Sequence, residues 1–197
     1  DSIVVRSQQK VAVIDTGRDA KLVAQCLDRL NIKDIDLLVL THFDMDHVGA
    51  VSVIVPRHPV TNVLVSPFTD SRWAATGTDL LIRNAGVPLI QAERGMSGLI
   101  GTAKWRVLAP EHAAFGAQDS NSASIVMLFE LDGFNFLAMA DSGEGSQSVL
   151  ANKSDLLQQA NLHSVPLVLK VSHHGSADQF SELIEELKPS LGLISVG

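Results

Sequence analysis

The chain has 197 residues, of which 46% are apolar and 19% are charged, and its net charge is −7. This composition supplies a sizeable core and argues against disorder, and no apolar run approaches the roughly 18–20 residues of a membrane-spanning helix. A domain that bound nucleic acid through its own side chains would usually be basic, so contact with a polyanion would need bound cations or another part of the molecule. The length favours one domain over residues 1–197, and strand-like segments at both ends suggest a domain cut from a longer protein.

The first part of the chain has the order strand, strand, helix, strand, helix. The helix is amphipathic, and Cys26, the single cysteine, is predicted to lie on its buried face beside Leu22 and Leu30. The apolar run before residue 41 predicts a buried strand. The predicted elements are strands Ile3–Arg6 and Val11–Ile14, helix Asp19–Leu30, strand Leu37–Leu40 and a helix from about Val48 to Val55.

The rest of the chain mixes hairpins with strand–helix–strand units. Asp132-Gly133 is a strong two-residue hairpin signal, and Pro110–Asn121 is predicted to be irregular. The predicted strands are Asn62–Ser66, Val87–Gln91, Lys104–Leu108, Ser124–Leu131, Phe134–Ala140, Leu167–Val171 and Leu191–Val196. The predicted helices are Asp70–Ala85, a stretch from Gly145 to about Ala160, and Asp178–Leu187. This order predicts layered α/β packing with more than one sheet.

Four side chains of the types that bind metals fall within six residues, directly after the buried strand. They are His42, Asp44, Asp46 and His47. Imidazoles and carboxylates are the ligands used for zinc, manganese and iron, and a divalent cation would relieve the repulsion between the two carboxylates. A polar surface loop with fortuitous histidines is the alternative. The pattern favours a metal site.

Two further strand ends carry the same side chain types. Asp141 follows one strand and is predicted to be a bridging ligand, although a turn or helix cap would also explain it. His173 and His174 follow another strand, so one imidazole could face the metal while the other supports it. Strand alternation from Val171 favours His173 as the ligand, without showing which side faces the site.

Other polar residues are weaker candidates for the pocket. Asn121 and Ser124 could line it or simply begin a strand, and Asp15 is predicted to support the site from a turn beneath it. His58 and His112 stand beside prolines, and both are predicted to be surface residues.

These motifs, in this order, resemble the metallo-β-lactamase superfamily, whose general pattern is His-x-His-x-Asp-His. Asp44 stands where the second histidine would be, and Met139-Ala140-Asp141 stands where a Thr-Gly-Asp is usual. With the segment Leu169–Ser176, the chain is similar to the carboxy-terminal domain of ComEC-type competence proteins, which pass transforming DNA into bacteria.

The resemblance implies a four-layer αβ/βα sandwich with one or two divalent metals at the sheet edges. It also implies nuclease action on the DNA strand that does not enter the cell. The parent protein would lie in the bacterial inner membrane, with this domain on the outer side, next to the membrane channel of the same polypeptide. No lipid contact is expected from the domain itself.

The working hypothesis is phosphodiester hydrolysis, with Asp46, His47 and Asp141 as the catalytic set. The predicted metal ligands are His42, Asp44, Asp46, His47, Asp141 and His173. The oxygen of Asp44 tilts the preference towards manganese or magnesium without deciding it, and the expected cofactor is one or two manganese or zinc ions, with magnesium as a further candidate. The alternatives are a small-molecule phosphodiesterase or ester hydrolase of the same fold, and a catalytically inactive binding domain.

Overall fold

The computed structural model describes residues 1–152, 162 and 164–195, which form two β-sheets flanked by helices. The strands are β1 (Ile3–Ser7), β2 (Lys10–Ile14), β3 (Ile35–Leu40), β4 (Val60–Val65), β5 (Leu89–Gln91), β6 (Ser97–Ile100), β7 (Ala103–Ala109), β8 (Val126–Leu131), β9 (Phe134–Ala138), β10 (Leu167–Lys170) and β11 (Leu191–Leu193). The helices are α1 (Ala20–Arg29), α2 (Met45–Val48), α3 (Val51–Arg57), α4 (Trp73–Asn84), α5 (Glu144–Ala151) and α6 (Ser181–Leu187). Short 3₁₀ turns cover His112–Ala114 and His173–Gly175.

Both sheets are mixed. The first has the order β1-β2-β3-β4-β5, with β1 antiparallel to β2 and parallel pairing from β2 to β5. The second has the order β11-β10-β9-β8-β7-β6, antiparallel from β6 to β9 and parallel from β9 to β11. Parallel neighbours end at the same edge of a sheet, so the loops after β2 and β3 lie together, as do those after β9 and β10.

Strand β3 shows how the layers stack, because it is buried on both faces. Leu37 and Val39 belong to the apolar cluster between the sheets, whereas Leu38 and Leu40 belong to the cluster beneath α1, α3 and α4. A third cluster joins the second sheet to α5 and α6. Burial on both faces explains the uninterrupted apolar run of β3. The order helices, sheet, sheet, helices confirms the predicted four-layer αβ/βα sandwich.

Most predicted elements are present with shifted ends. The hairpin at Asp132-Gly133 is confirmed, since Leu131 pairs with Phe134. Helix α4 begins at Trp73, and the short strand β6 was not predicted. The helix predicted to reach about Ala160 is described as α5 to Ala151, and residues 153–161 lie outside the described residues. The predicted end of the last strand at Val196 also lies outside them.

Two burial predictions are wrong. Cys26 is exposed, because α1 turns Val23, Ala24 and Leu27 towards the sheet instead. His58 is only 3% exposed, since its Nδ1 lies 3.3 Å from the carbonyl oxygen of Lys33. The surface position of His112 is confirmed.

Within the described residues, no helix combines the length and the apolar character that crossing a membrane requires.

Candidate metal centre

The loop after β3 is held from below by one buried carboxylate. Asp15, at the end of β2, accepts hydrogen bonds from the Thr41 backbone N–H at 2.8 Å and from the Thr41 hydroxyl at 2.7 Å. Its Oδ2 also lies 2.7 Å from Nδ1 of His47. A histidine whose Nδ1–H is held by a carboxylate presents the lone pair of Nε2 on the opposite side of the ring. Asp15 therefore fixes the orientation of the His47 ring.

The short helix α2 carries two of the candidate ligands. Asp44 is the N-cap of this four-residue helix, and Asp46 and His47 lie within it. Gly49 follows the helix where a Cβ atom would stand 2.4 Å from the Met45 carbonyl oxygen and 3.0 Å from the Arg18 Cα. Only glycine fits this close approach, which brings α2 against the loop after β2.

The second sheet supplies Asp141 and a histidine turn. The His173 backbone N–H donates to the Ala140 carbonyl at 3.0 Å, which joins the loop after β10 to the loop after β9. Ala140, His173 and His174 all have left-handed backbone, with φ values of 50°, 47° and 54°. Non-glycine residues in this conformation cost free energy, and such strain often accompanies functional sites.

Asp141 lies between the histidines from both sheets. Its Oδ1 is 3.3 Å from His47 Nε2, and its Oδ2 is 3.9 Å from His42 Nε2 and 3.5 Å from His174 Nε2. The side chain of Asp141 is 5% exposed. The Asp141 carboxylate is therefore within 4 Å of imidazoles from both sheets.

Asp44 and Asp46 complete the arrangement from α2. Asp46 Oδ2 lies 3.0 Å from His174 Nε2 and 3.6 Å from His47 Nε2. Asp44 Oδ2 lies 4.0 Å from His42 Nε2. We call these six residues the His–Asp cluster: His42, Asp44, Asp46, His47, Asp141 and His174.

The cluster fits a divalent cation. Ligand atoms of Asp46, His47, Asp141 and His174 all lie within 4.8 Å of one another. Among the described residues, His42 Nε2, His47 Nε2 and Asp141 Oδ1 are buried and have no hydrogen-bond partner. Buried polar atoms are nearly always paired, so unpaired nitrogen and oxygen atoms that converge on one place are suited to hold a cation. Nitrogen and oxygen donors of this kind suit zinc, manganese or magnesium.

The close packing of charged groups in the His–Asp cluster also shifts their pKa values. Burial alone would lower the pKa of His47, but the carboxylates of Asp15 and Asp141 outweigh it and raise that pKa to about 9. Burial would raise the pKa of Asp141, but the His47 imidazole 3.3 Å away and the charges of the other nearby histidines bring it well below the usual value. The pKa of His42 is lowered by burial and by the positive charge of His47.

The structure brings five of the predicted ligands together, with His174 as the sixth member. His173 instead lines a neighbouring cavity of about 630 Å³, where its buried Nδ1 has no hydrogen-bond partner among the described residues. Asn121 also lines that cavity. Ser124 is 1% exposed, and its hydroxyl is likewise without a partner in the described part of the chain.

Sequence reasoning missed two cations near the cluster. Arg72 Nη2 lies 2.8 Å from Asp44 Oδ1, and buried Lys170 pairs with Asp1 at 2.8 Å. Lys170 belongs to the segment compared with the competence proteins, but Arg72 lies in a stretch that carried no motif.

Comparison with known proteins gives a family match over nearly the whole chain. The model of the metallo-beta-lactamase superfamily matches residues 1–190. ComE operon protein 3 of Bacillus subtilis (strain 168) is 29% identical over 179 residues, which cover 90% of this chain. The chain spans 22% of that relative's length.

Solved structures with the same fold share little sequence. The Rm3 metallo-beta-lactamase matches with a TM-score of 0.54 and 20% identity, covering 93% of this chain and 75% of that one. A diphosphatase from the PhnP family matches with a TM-score of 0.53 and 15% identity, covering 97% of this chain and 73% of that one. At this identity the similarity shows the fold alone.

Proposed function

Because the chain belongs to the metallo-β-lactamase superfamily, we propose that it is a metal-dependent phosphodiesterase that cleaves DNA. One observation carries the proposal: nitrogen and oxygen atoms of the His–Asp cluster converge from both sheets, and several are buried with no hydrogen-bond partner in the described part of the chain. A divalent cation held there supplies Lewis acidity and lets water act as a nucleophile at neutral pH. The carboxylate of Asp44, in place of the usual histidine, makes the cluster richer in oxygen and favours manganese or magnesium.

We assign a distinct role to each part of the cluster. His42, His47 and His174 would hold cations through Nε2, and Asp141 would bridge them. His174 is preferred to His173 because its Nε2 lies 3.0 Å from Asp46 and 3.5 Å from Asp141.

Asp46 is the residue that we assign to orienting the attacking water. Its side chain is 36% exposed, whereas that of Asp141 is 5% exposed, so Asp46 faces both the cluster and the solvent. A carboxylate in that position can accept a proton from water as the phosphodiester bond breaks.

The biological setting follows from the relative. We propose that the chain is one domain of a ComEC-type competence protein, because the match to ComE operon protein 3 covers 90% of this chain. In that setting its substrate is the DNA strand that does not enter the cell, and the domain lies outside the inner membrane beside a channel of the same polypeptide. Bound cations would offset the net charge of −7 that repels DNA.

The test is an assay of the purified chain with manganese on single-stranded DNA, double-stranded DNA and a small phosphodiester. We expect DNA cleavage that chelation abolishes, and a loss of about 10²–10⁴-fold in the rate for Asp46→Ala. Asp36→Ala is the matched control, since Asp36 pairs with Lys10 at 2.6 Å and not with the cluster.

The same assay separates the alternatives. Cleavage of the small phosphodiester without cleavage of either DNA would make the chain a small-molecule hydrolase. Bound metal without any cleavage would contradict phosphodiesterase activity, and failure to take up metal would favour an inactive binding domain. Full activity of Asp46→Ala would contradict the role assigned to that residue.

A further inference from the structure

Arg72 is a fixed guanidinium at the border of the His–Asp cluster. It precedes α4, and its Nε and Nη2 donate to both oxygens of Asp70 at 2.6 to 3.0 Å. The Arg72 backbone N–H donates to the same carboxylate at 2.9 Å. The side chain of Asp70 is 4% exposed. A buried carboxylate therefore holds the guanidinium in one orientation.

One side of the Arg72 guanidinium faces solvent and is free to bind a ligand. Its side chain is 52% exposed, and its Nη1 donates to no acceptor within the part of the chain that the structure describes. Arginine presents five donors in a planar fork that matches phosphate oxygens. Because Asp70 has already restricted the side chain, a ligand that binds the open side loses little additional conformational entropy.

Asp44 connects this arginine to the candidate metal centre. Its Oδ1 lies 2.8 Å from Arg72 Nη2, and its Oδ2 lies 4.0 Å from His42 Nε2. One carboxylate therefore contacts both the guanidinium and the His–Asp cluster. An anion that reached the cluster from solvent would meet Arg72 at the same place.

We propose that Arg72 binds the phosphate group of the substrate beside the metal centre, and that Asp70 positions it there. This inference rests on the proposed phosphodiesterase function. Two carboxylates fix the guanidinium, yet 52% of the Arg72 side chain remains exposed at the border of the cluster, which suits it to binding an anion. The other reading is that Arg72 only fixes Asp44 as a metal ligand.

The test compares Arg72→Met and Arg72→Lys with Arg83→Met in the manganese-loaded chain. Arg83 is the matched control, because it lies in α4, pairs with Asp79 at 2.7 Å and is 63% exposed. We measure manganese affinity, binding of inorganic phosphate by calorimetry, and kcat and KM for a small phosphodiester.

We expect Arg72→Met to weaken phosphate binding and raise KM by about 10–100-fold, as loss of a charge-assisted contact would. Arg72→Lys should recover part of the affinity, since lysine keeps the charge but not the fork. Arg83→Met should change neither quantity by more than about twofold. Manganese affinity should be retained in all three variants.

Two results would overturn the inference. One is unchanged phosphate binding in Arg72→Met with a fall in manganese affinity, which would make Arg72 a support for Asp44 alone. The other is absence of phosphate binding by the manganese-loaded native chain. Arginine-dependent phosphate binding without hydrolysis of any phosphodiester would instead contradict the proposed function and leave the anion site standing.

Discussion

At the scale of single residues, the geometry of the His–Asp cluster depends on a carboxylate outside it. Asp15 binds Thr41 through both oxygens and meets His47 through Oδ2, so it fixes the loop and the imidazole together. Its backbone is left-handed, with φ 58°, a conformation that asparagine adopts nearly as readily as aspartate. Asp15→Asn therefore changes the hydrogen-bonding atoms with little backbone strain.

We expect Asp15→Asn to weaken manganese binding by about 10–100-fold, the usual cost of losing a partner behind a ligand histidine. An amide NH₂ in place of Oδ2 would donate to His47 Nδ1, which would move the imidazole proton to Nε2 and block the ligand lone pair. The measurement is calorimetric titration of the metal-free variant with manganese.

Asp36→Asn is the control for this titration, because Asp36 also accepts from a backbone N–H, that of Val11 at 2.8 Å, but outside the cluster. Native manganese affinity in Asp15→Asn would show that Asp15 does not orient the ligand.

The sequence indicated most members of the His–Asp cluster, and the ligand role of each residue stays a prediction. His42 and Asp46 follow from residue type and spacing, because they lie directly after a strand whose end is easy to recognise. The choice of His173 relied on strand alternation from Val171. The structure has left-handed backbone at His173 and His174, so the alternation stops before it reaches them. Arg72 was missed because its contact with Asp44 depends on tertiary packing, which leaves no local pattern.

At the scale of elements, a buried ion pair joins the two sheets. Lys170 ends β10 in the second sheet, and its Nζ lies 2.8 Å from Asp1 Oδ2, just before β1 of the first sheet. Both side chains are 2% exposed, and Nζ also donates to the Val171 carbonyl at 2.8 Å. Removing one member of such a pair leaves a buried charge without compensation.

We expect Lys170→Ala to lower the free energy of unfolding by about 3–5 kcal/mol, because Asp1 would lose its cation in a buried environment. The double variant Asp1→Asn with Lys170→Met should recover most of that loss, since neither side chain then carries a charge. Urea unfolding at neutral pH measures both. A loss below about 1 kcal/mol for Lys170→Ala would show that the pair does not stabilise the junction.

Apolar patterning predicted most elements, and its failures have physical causes. The run that forms β3 was recognised because burial on both faces removes polar residues from the strand. The strand β6 was missed because it is only four residues long and contains Gly98, a residue type that is rare in strands and that here packs beneath Trp105. In α1, the predicted face included Val23 and Leu27, which the sheet covers, but it was drawn too wide and so also took in Cys26, which is exposed.

At the scale of the whole molecule, the cluster joins the two halves of the sandwich. Asp46 and His47 come from the loop after the first sheet's β3, and Asp141 and His174 come from the second sheet. A cation bound by all four would bind the folded chain and not the unfolded one. At a free concentration 100 times Kd, this linkage stabilises the fold by about 2.7 kcal/mol. For a domain of this length, that corresponds to about 5–10 °C in Tm.

We expect the stabilisation by manganese to grow as the pH rises from about 6 to about 8.5. His47 has a folded pKa of about 9 without metal, above the ordinary value of 6.5. Its proton therefore stabilises the metal-free chain fully below pH 6.5, and that contribution is lost as the pH rises towards 9. Manganese needs the Nε2 lone pair and must displace the same proton, so its binding strengthens over the same range.

Thermal unfolding with manganese or with a chelator, repeated across that pH range, measures the difference in Tm between the two states. The difference should widen with pH in the native chain and should be nearly absent in Asp141→Asn, which lacks the bridging carboxylate. A difference that stayed constant or narrowed with rising pH would mean that metal binding does not displace the His47 proton. The proposed coordination through Nε2 of that histidine would then be wrong, even if the chain still bound manganese elsewhere.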